Sequence, residues 1–292
     1  MPLNELAGLF PDDVAREIRS CASELTEIRI RAGKPVRLIT MNSIRDLGIS
    51  LDSQALRKLA LRMMDHSYYA CEHELTQGYF TMKNGCRVGV GGTYAQLNRN
   101  SRTLQAIGSL CIRIARAVPD CALPLVNEMT SDKNLHSTLI LSRPGMGKTT
   151  MLRDAARLLS RMGYMVGIAD ERSEIAACRF GVPTMDVGLN TDVVDGCPKA
   201  QAIEHLIRSM APQIIITDEI GNSSDAVVLR EAARKGVAIL ASAHAGCFEA
   251  FEASALGDLL TEGLFPLAAL LEGKPGNISA FRSYAKGGSL CI

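Results

Sequence analysis

The sequence predicts an α/β chain of two domains. A smaller α+β domain covers residues 1–118, a linker covers 119–135, and residues 136–292 build on a mostly parallel sheet. Three observations carry this. From Thr138 onward, apolar runs alternate with helical patterns, which implies parallel strands joined by crossover helices. Inside that region, Leu139-Ile140-Leu141-Ser142-Arg143-Pro144-Gly145-Met146-Gly147-Lys148-Thr149-Thr150 reads as a strand, a Gly-rich turn and the start of a helix. Before residue 119 the apolar runs come as hairpin pairs instead. At 292 residues the chain exceeds what one hydrophobic core usually holds, which favours two domains.

In chain order, Leu6, Phe10, Val14 and Ile18 fall at helical spacing, with Asp12-Asp13 near a helix start. Glu27-Ile28-Arg29-Ile30-Arg31 alternates polar and apolar, and a second run over 36–40 resumes after Gly33-Lys34-Pro35, which makes a hairpin. Leu56, Leu59, Ala60 and Met63 mark one face of a helix over 52–65, capped by Asp52. A second hairpin over 78–93 turns at Asn84-Gly85, and a further strand spans 110–114. The linker is rich in Pro, Asp, Asn and Ser. Strands are then expected over 138–142, 165–170, 213–218 and 237–242, with helices over 148–162, 199–210 and 224–235. A last hairpin pairs 267–271 with 278–282.

Composition narrows the function classes. Hydrophobic residues make up 47% and charged ones 22%, the balance of a globular protein and not of a disordered one. There are 17 basic against 14 acidic residues through Leu135 and 15 against 17 after it, so neither part carries the basic excess of a nucleic-acid binder. No apolar run approaches the ~20 residues of a membrane span, and nothing near Met1 has a signal-peptide layout; a cytoplasmic protein is expected. Nine scattered cysteines without a Cys-x-x-Cys pair argue for reduced thiols.

The loop over 142–150 carries the chemistry. Its pattern is that of a P-loop, in which Gly145, Met146 and Gly147 turn their N–H groups around a phosphate and the following helix aims its positive end at the same anion. Lys148 reaches the β- and γ-phosphates and Thr149 binds Mg²⁺. Ser142 stands where the pattern has Gly, at a strain on the order of 1 kcal/mol if the backbone there needs a positive φ.

Other parts of a nucleotide site follow. Ile214-Ile215-Ile216-Thr217-Asp218-Glu219 is a buried strand ending in two carboxylates, of which Asp218 holds Mg²⁺ and Glu219 orients and deprotonates a water. Asp170-Glu171 ends the preceding strand at the same sheet edge. Glu171 is either a rival for water activation or a second metal-facing carboxylate, or the pair starts a loop and meets Arg172. His244 follows the strand over 237–242 and is placed to sense a γ-phosphate, unless it is an ordinary half-buried histidine. Phosphoryl transfer also needs a cation, often an arginine from a neighbouring subunit; Arg87, Arg113 and Arg116 in the first domain and Arg172 and Arg208 in the second are the candidates.

Asp170-Glu171-Arg172-Ser173-Glu174-Ile175, Asp195-Gly196-Cys197-Pro198-Lys199-Ala200, Ile207-Arg208-Ser209-Met210-Ala211-Pro212 and Asp218-Glu219-Ile220-Gly221 closely resemble the stage III sporulation protein AA family. Gly85-Cys86-Arg87-Val88-Gly89 and Ile112-Arg113-Ile114-Ala115-Arg116 look like that family too. The family is similar to the RecA-like ATPases of type II and type IV secretion and pilus machines, which form hexameric rings. The resemblance implies a RecA-like P-loop NTPase domain that hydrolyses ATP with Mg²⁺ as a homo-oligomer, a hexamer by analogy. It further implies membrane proteins of a channel between mother cell and forespore as partners, with this chain on the mother-cell cytoplasmic side. By the same resemblance Asp170 and Glu171 match the acidic box, Glu219 the catalytic Walker B glutamate and His244 the His box. The alternative, motivated by Ser142, is an ATP-gated scaffold that barely hydrolyses.

Overall fold

A computed structural model describes residues 2–66, 71–82, 86–98, 101–114, 117–131 and 134–284. The chain divides into two compact units, Met1–Arg116 and Ala117–Ile292.

The first unit contains helices α1 (Pro2–Ala7) and α2 (Asp12–Ser20), strands β1 (Leu25–Arg31), β2 (Pro35–Thr40) and β3 (Ile44–Ser50), helices α3 (Ser53–Met63) and α4 (Glu72–Thr76), and strands β4 (Tyr79–Thr81), β5 (Arg87–Asn98) and β6 (Ser101–Arg113). The strands form an antiparallel sheet in the order β3-β2-β1-β6-β5-β4. Alternation decides which side chains enter its core: Ile28 and Ile30 of β1 and Val36 and Leu38 of β2 are buried between exposed or half-buried neighbours. Asp52 caps α3, accepting the Ala55 N–H at 2.7 Å, and Leu56, Leu59, Ala60 and Met63 are that helix's buried face. β4 and β5 pair antiparallel, while the turn expected at Asn84-Gly85 lies outside the described residues.

The second unit contains α5 (Leu123–Met129), β7 (Thr138–Ser142), α6 (Lys148–Arg161), β8 (Val166–Asp170), β9 (Thr191–Asp195), α7 (Lys199–Ser209), β10 (Ile214–Thr217), α8 (Ser223–Arg234), β11 (Ala238–His244), α9 (Phe248–Glu252), α10 (Asp258–Thr261), β12 (Leu267–Leu271) and β13 (Ile278–Ser283). Its sheet runs β13-β12-β7-β11-β10-β8-β9, parallel throughout except for the final hairpin strand β13. Both faces are covered, so the central strands read as continuous apolar runs. Leu139, Leu141 and Ile215 face α7, α8 and α9, whereas Ile140, Ile214 and Ile216 face α5 and α6.

Residues 119–135, read from the sequence as a linker, differ from that expectation. They carry α5, whose Leu125, Val126 and Met129 are buried in the same core as Met151, Leu152 and Ala155 of α6. A proline in the first turn of α5 sits where no helical N–H is needed, so a proline-containing stretch still forms two helical turns. The Ala122 N–H is also tied to Asp154 of α6 at 2.9 Å.

Candidate nucleotide site

Parallel pairing puts the carboxyl ends of β7, β11, β10 and β8 side by side, and the residues that leave those ends are Ser142, His244, Asp218-Glu219 and Asp170. Ser142 and His244 are register partners across β7 and β11.

Between β7 and α6 the chain turns through Gly145 (φ 78°) and Gly147 (φ 86°), both in the left-handed region that only glycine enters without strain. Gly147 is also hemmed in, since a Cβ there would lie 3.0 Å from the Gly276 nitrogen. The turn between β12 and β13 backs the loop, with the Gly276 N–H donating to the Met146 carbonyl at 2.9 Å. Ser142 does not occupy a positive φ, so the strain attached to it from the sequence is absent. Its hydroxyl, fully buried, donates to the Arg143 carbonyl at 2.8 Å and accepts from Lys148 Nζ at 3.2 Å. Arg143, Pro144 and Gly145 are exposed; Met146, Gly147, Thr149 and Thr150 are half-buried around them.

Lys148 opens α6 and is buried, which pushes its ammonium pKa down, with Glu219 opposing that shift. Its Nζ lies 2.9 Å from His244 Nδ1. An ammonium can only donate, so Nδ1 accepts and the ring proton sits on Nε2. Nε2 lies 2.9 Å from Glu219 Oε1, and Arg172 donates to Glu219 Oε2 at 3.3 Å. Lys148, His244, Glu219 and Arg172, drawn from four segments, thus form one chain of polar contacts running from the buried loop to the exposed rim.

Asp218 sits beside this chain, buried, with Lys199 Nζ 3.9 Å away as its one ion-pair partner among the described residues. Burial raises its carboxyl pKa to about 6; Lys199 pulls it down and Asp170 pushes it further up. A buried carboxylate only partly compensated in this way is suited to a divalent cation.

The acidic pair ending β8 splits in two. Asp170 is fully buried and accepts the N–H groups of Glu174 (2.8 Å), Ile175 (3.0 Å) and Ala176 (2.8 Å), so it shapes the loop after β8. Burial raises its pKa despite those bonds. Glu171 is exposed, and Arg172, offered above as a partner of that pair, reaches Glu219 instead. Arg87 lies over the Tyr79 ring at 3.7 Å and Arg113 is exposed, both in the first unit; Arg208 pairs with Glu204; Arg116 lies outside the described residues.

Two residues to which the sequence assigned no role brace the site. Arg153 of α6 is buried and donates to the Glu174 carbonyl at 2.6 Å, bracing the loop that Asp170 organises. Lys199, also buried, donates to the Glu219 carbonyl at 2.6 Å. A lysine at the first position of a helix opposes the helix dipole, and that was the available signal. Among the described residues no helix is long and apolar enough to cross a membrane, and no three His, Cys, Asp or Glu side chains cluster as a metal site.

The ATPase DotB of Yersinia pseudotuberculosis superposes with a TM-score of 0.61 at 13% identity, covering 95% of this chain and 81% of that one. The pilus retraction motor PilT, crystallised with bound ADP, gives 0.56 at 15% identity over 94% and 80%. These likenesses show that the chain shares the fold of DotB and PilT. Stage III sporulation protein AA of Bacillus subtilis (strain 168) is 38% identical over 251 residues, covering 83% of this chain and 81% of that protein. The family model described as "Sporulation stage III, protein AA" matches residues 12–290, and the chain therefore belongs to the stage III sporulation protein AA family.

Proposed function

We propose that the chain is a Mg²⁺-dependent P-loop ATPase with a RecA-like second domain, acting as the motor subunit of a sporulation-type channel complex between mother cell and forespore. The observation that supports this reading is the contact chain from Lys148 through His244 to Glu219, which joins the loop over 142–150 to a carboxylate at the same sheet edge. In this reading the 142–150 loop wraps the triphosphate with its N–H groups and Lys148 neutralises phosphate oxygens. Thr149 and Asp218 are the residues that hold Mg²⁺, which when bound neutralises charge on the β- and γ-phosphates. Glu219 takes a proton from water as that water attacks the γ-phosphorus, the bond to the ADP oxygen breaks, and phosphate leaves. Lys148 must release His244 Nδ1 to meet a phosphate, and Glu219 then exchanges one of its two partners. His244 thereby reports on the γ-phosphate. Glu171 is the reserve carboxylate at that rim, and Arg87 or Arg113 of an adjacent subunit supplies the remaining cation. A homo-oligomer, hexameric by analogy, held on the cytoplasmic side of the membrane by channel proteins, completes the reading; nucleic acid is not a partner.

The test is hydrolysis by the purified full chain. Turnover that requires Mg²⁺ and disappears in Lys148→Ala supports the ATPase; nucleic acid is expected not to stimulate it. One observation favours a second reading, an ATP-gated scaffold: both Glu219 carboxylate oxygens are engaged, by His244 and by Arg172. Tight ATP binding without single-turnover hydrolysis would select it.

A further inference from the structure

We infer that Lys199 is a positioning residue for hydrolysis, fixing the turn after β10 so that Glu219 presents its carboxylate along the Lys148–His244 line. The inference rests on the ATPase reading above.

Three elements meet at this ammonium. Lys199 opens α7, yet its Nζ donates to the carbonyl of Glu219 at the end of β10, 2.6 Å away. It lies 3.9 Å from Asp218 and 4.0 Å from Asp225 in the first turn of α8. Asp225 in turn accepts the N–H groups of Gly221 (2.9 Å) and Asn222 (3.3 Å), and Asn222 caps α8 reciprocally. The turn from Asp218 to Asn222 is therefore held at the Glu219–Ile220 peptide by Lys199 and at its last peptide by Asp225, with Lys199 within ion-pair reach of both Asp218 and Asp225.

A buried ammonium is expensive to desolvate, and an apolar side chain of similar length commonly stabilises a fold as well or better. Stability alone gives little reason for a lysine at this place, where the helix dipole also opposes it. What the lysine does achieve is geometric. Its strongest bond is to the peptide oxygen of the residue whose side chain meets water, so it sets the direction in which the Glu219 Cα–Cβ bond leaves the strand. A displacement of that carboxylate by about 1 Å is worth about a hundredfold in rate.

The experiment uses the full chain with ATP and Mg²⁺, comparing the parent, Lys199→Met and Lys199→Arg by kcat, KM, nucleotide Kd and melting temperature. Lys199→Met is expected to lose about a hundredfold in kcat with KM and Kd changed less than about threefold, because Lys148 and its loop are untouched. Lys199→Arg keeps the charge but moves the donor, and is expected to lose about tenfold. Should Lys199→Met fail to fold, Lys199→Arg alone decides between that tenfold loss and parental kcat. Parental kcat in either folded variant, or parallel loss of nucleotide binding and melting temperature, overturns the inference while leaving the ATPase reading intact. Absence of turnover in the parent, indistinguishable from Lys148→Ala, overturns both.

Discussion

Asp218→Asn probes the site through stability. The Asp218 carboxyl is buried at the end of β10, and its pKa is raised from 3.8 to about 6 because burial penalises the charge; Lys199 offsets part of that, and Asp170 and Glu174 add to it. An acid whose folded pKa exceeds its unfolded value binds more protons in the native state between the two values. Stability therefore falls as pH rises through that window, from 3.8 to about 6, and the loss persists above it. About two units at ~1.4 kcal/mol each give a penalty of about 3 kcal/mol. Asn has nearly the same shape and no charge. Because that raised pKa already includes the attraction of Lys199, Asp218→Asn should exceed the parent by about 3 kcal/mol at about pH 7.5 and match it at about pH 4. Urea unfolding without nucleotide or Mg²⁺, followed across that pH range, measures it. The same change removes a proposed metal-holding group, so a more stable protein should be a worse enzyme. A variant less stable than the parent at neutral pH, or a difference that does not vary with pH, refutes the reasoning.

Three further outcomes are expected. Glu219→Gln should keep nucleotide binding and lose about a hundredfold or more in kcat, measured by steady-state hydrolysis beside a nucleotide titration. Gly147→Ala should destabilise the loop by about 1–3 kcal/mol and weaken nucleotide binding, since it adds a Cβ at φ 86° facing the Gly276 nitrogen. Restoring the P-loop pattern with Ser142→Gly should lower stability by about 1 kcal/mol in a denaturation experiment without tightening nucleotide binding, because the serine is unstrained and its hydroxyl is bonded on both sides.

What the sequence by itself determined lies where a local pattern and a buried face coincide. The strand-loop-helix unit from Thr138 to Arg161 is written as five buried strand residues, glycines at the two positive-φ positions and a helix whose Met151, Leu152, Ala155 and Leu159 share one side. The Asp52 cap and the final hairpin were legible for the same reason. β3 and β9 were not: both are edge strands, β3 burying only Leu47 and β9 fully burying no residue, so neither carries an alternating signal. α5 was hidden because two turns opened by a proline gain their stability from packing on α6.

Tertiary structure alone decided the partners inside the site. Lys148 and His244 stand 96 positions apart and meet because β7 and β11 are register neighbours. Asp170 and Glu171, adjacent in sequence, separate because consecutive residues leaving a strand point to opposite sides, one into a buried loop and one into solvent. Lys199 reaches Glu219 only once α7 has crossed back over the sheet. Residue types follow from local chemistry, whereas which buried charge meets which depends on strand order, and that is settled by the packing of the whole domain.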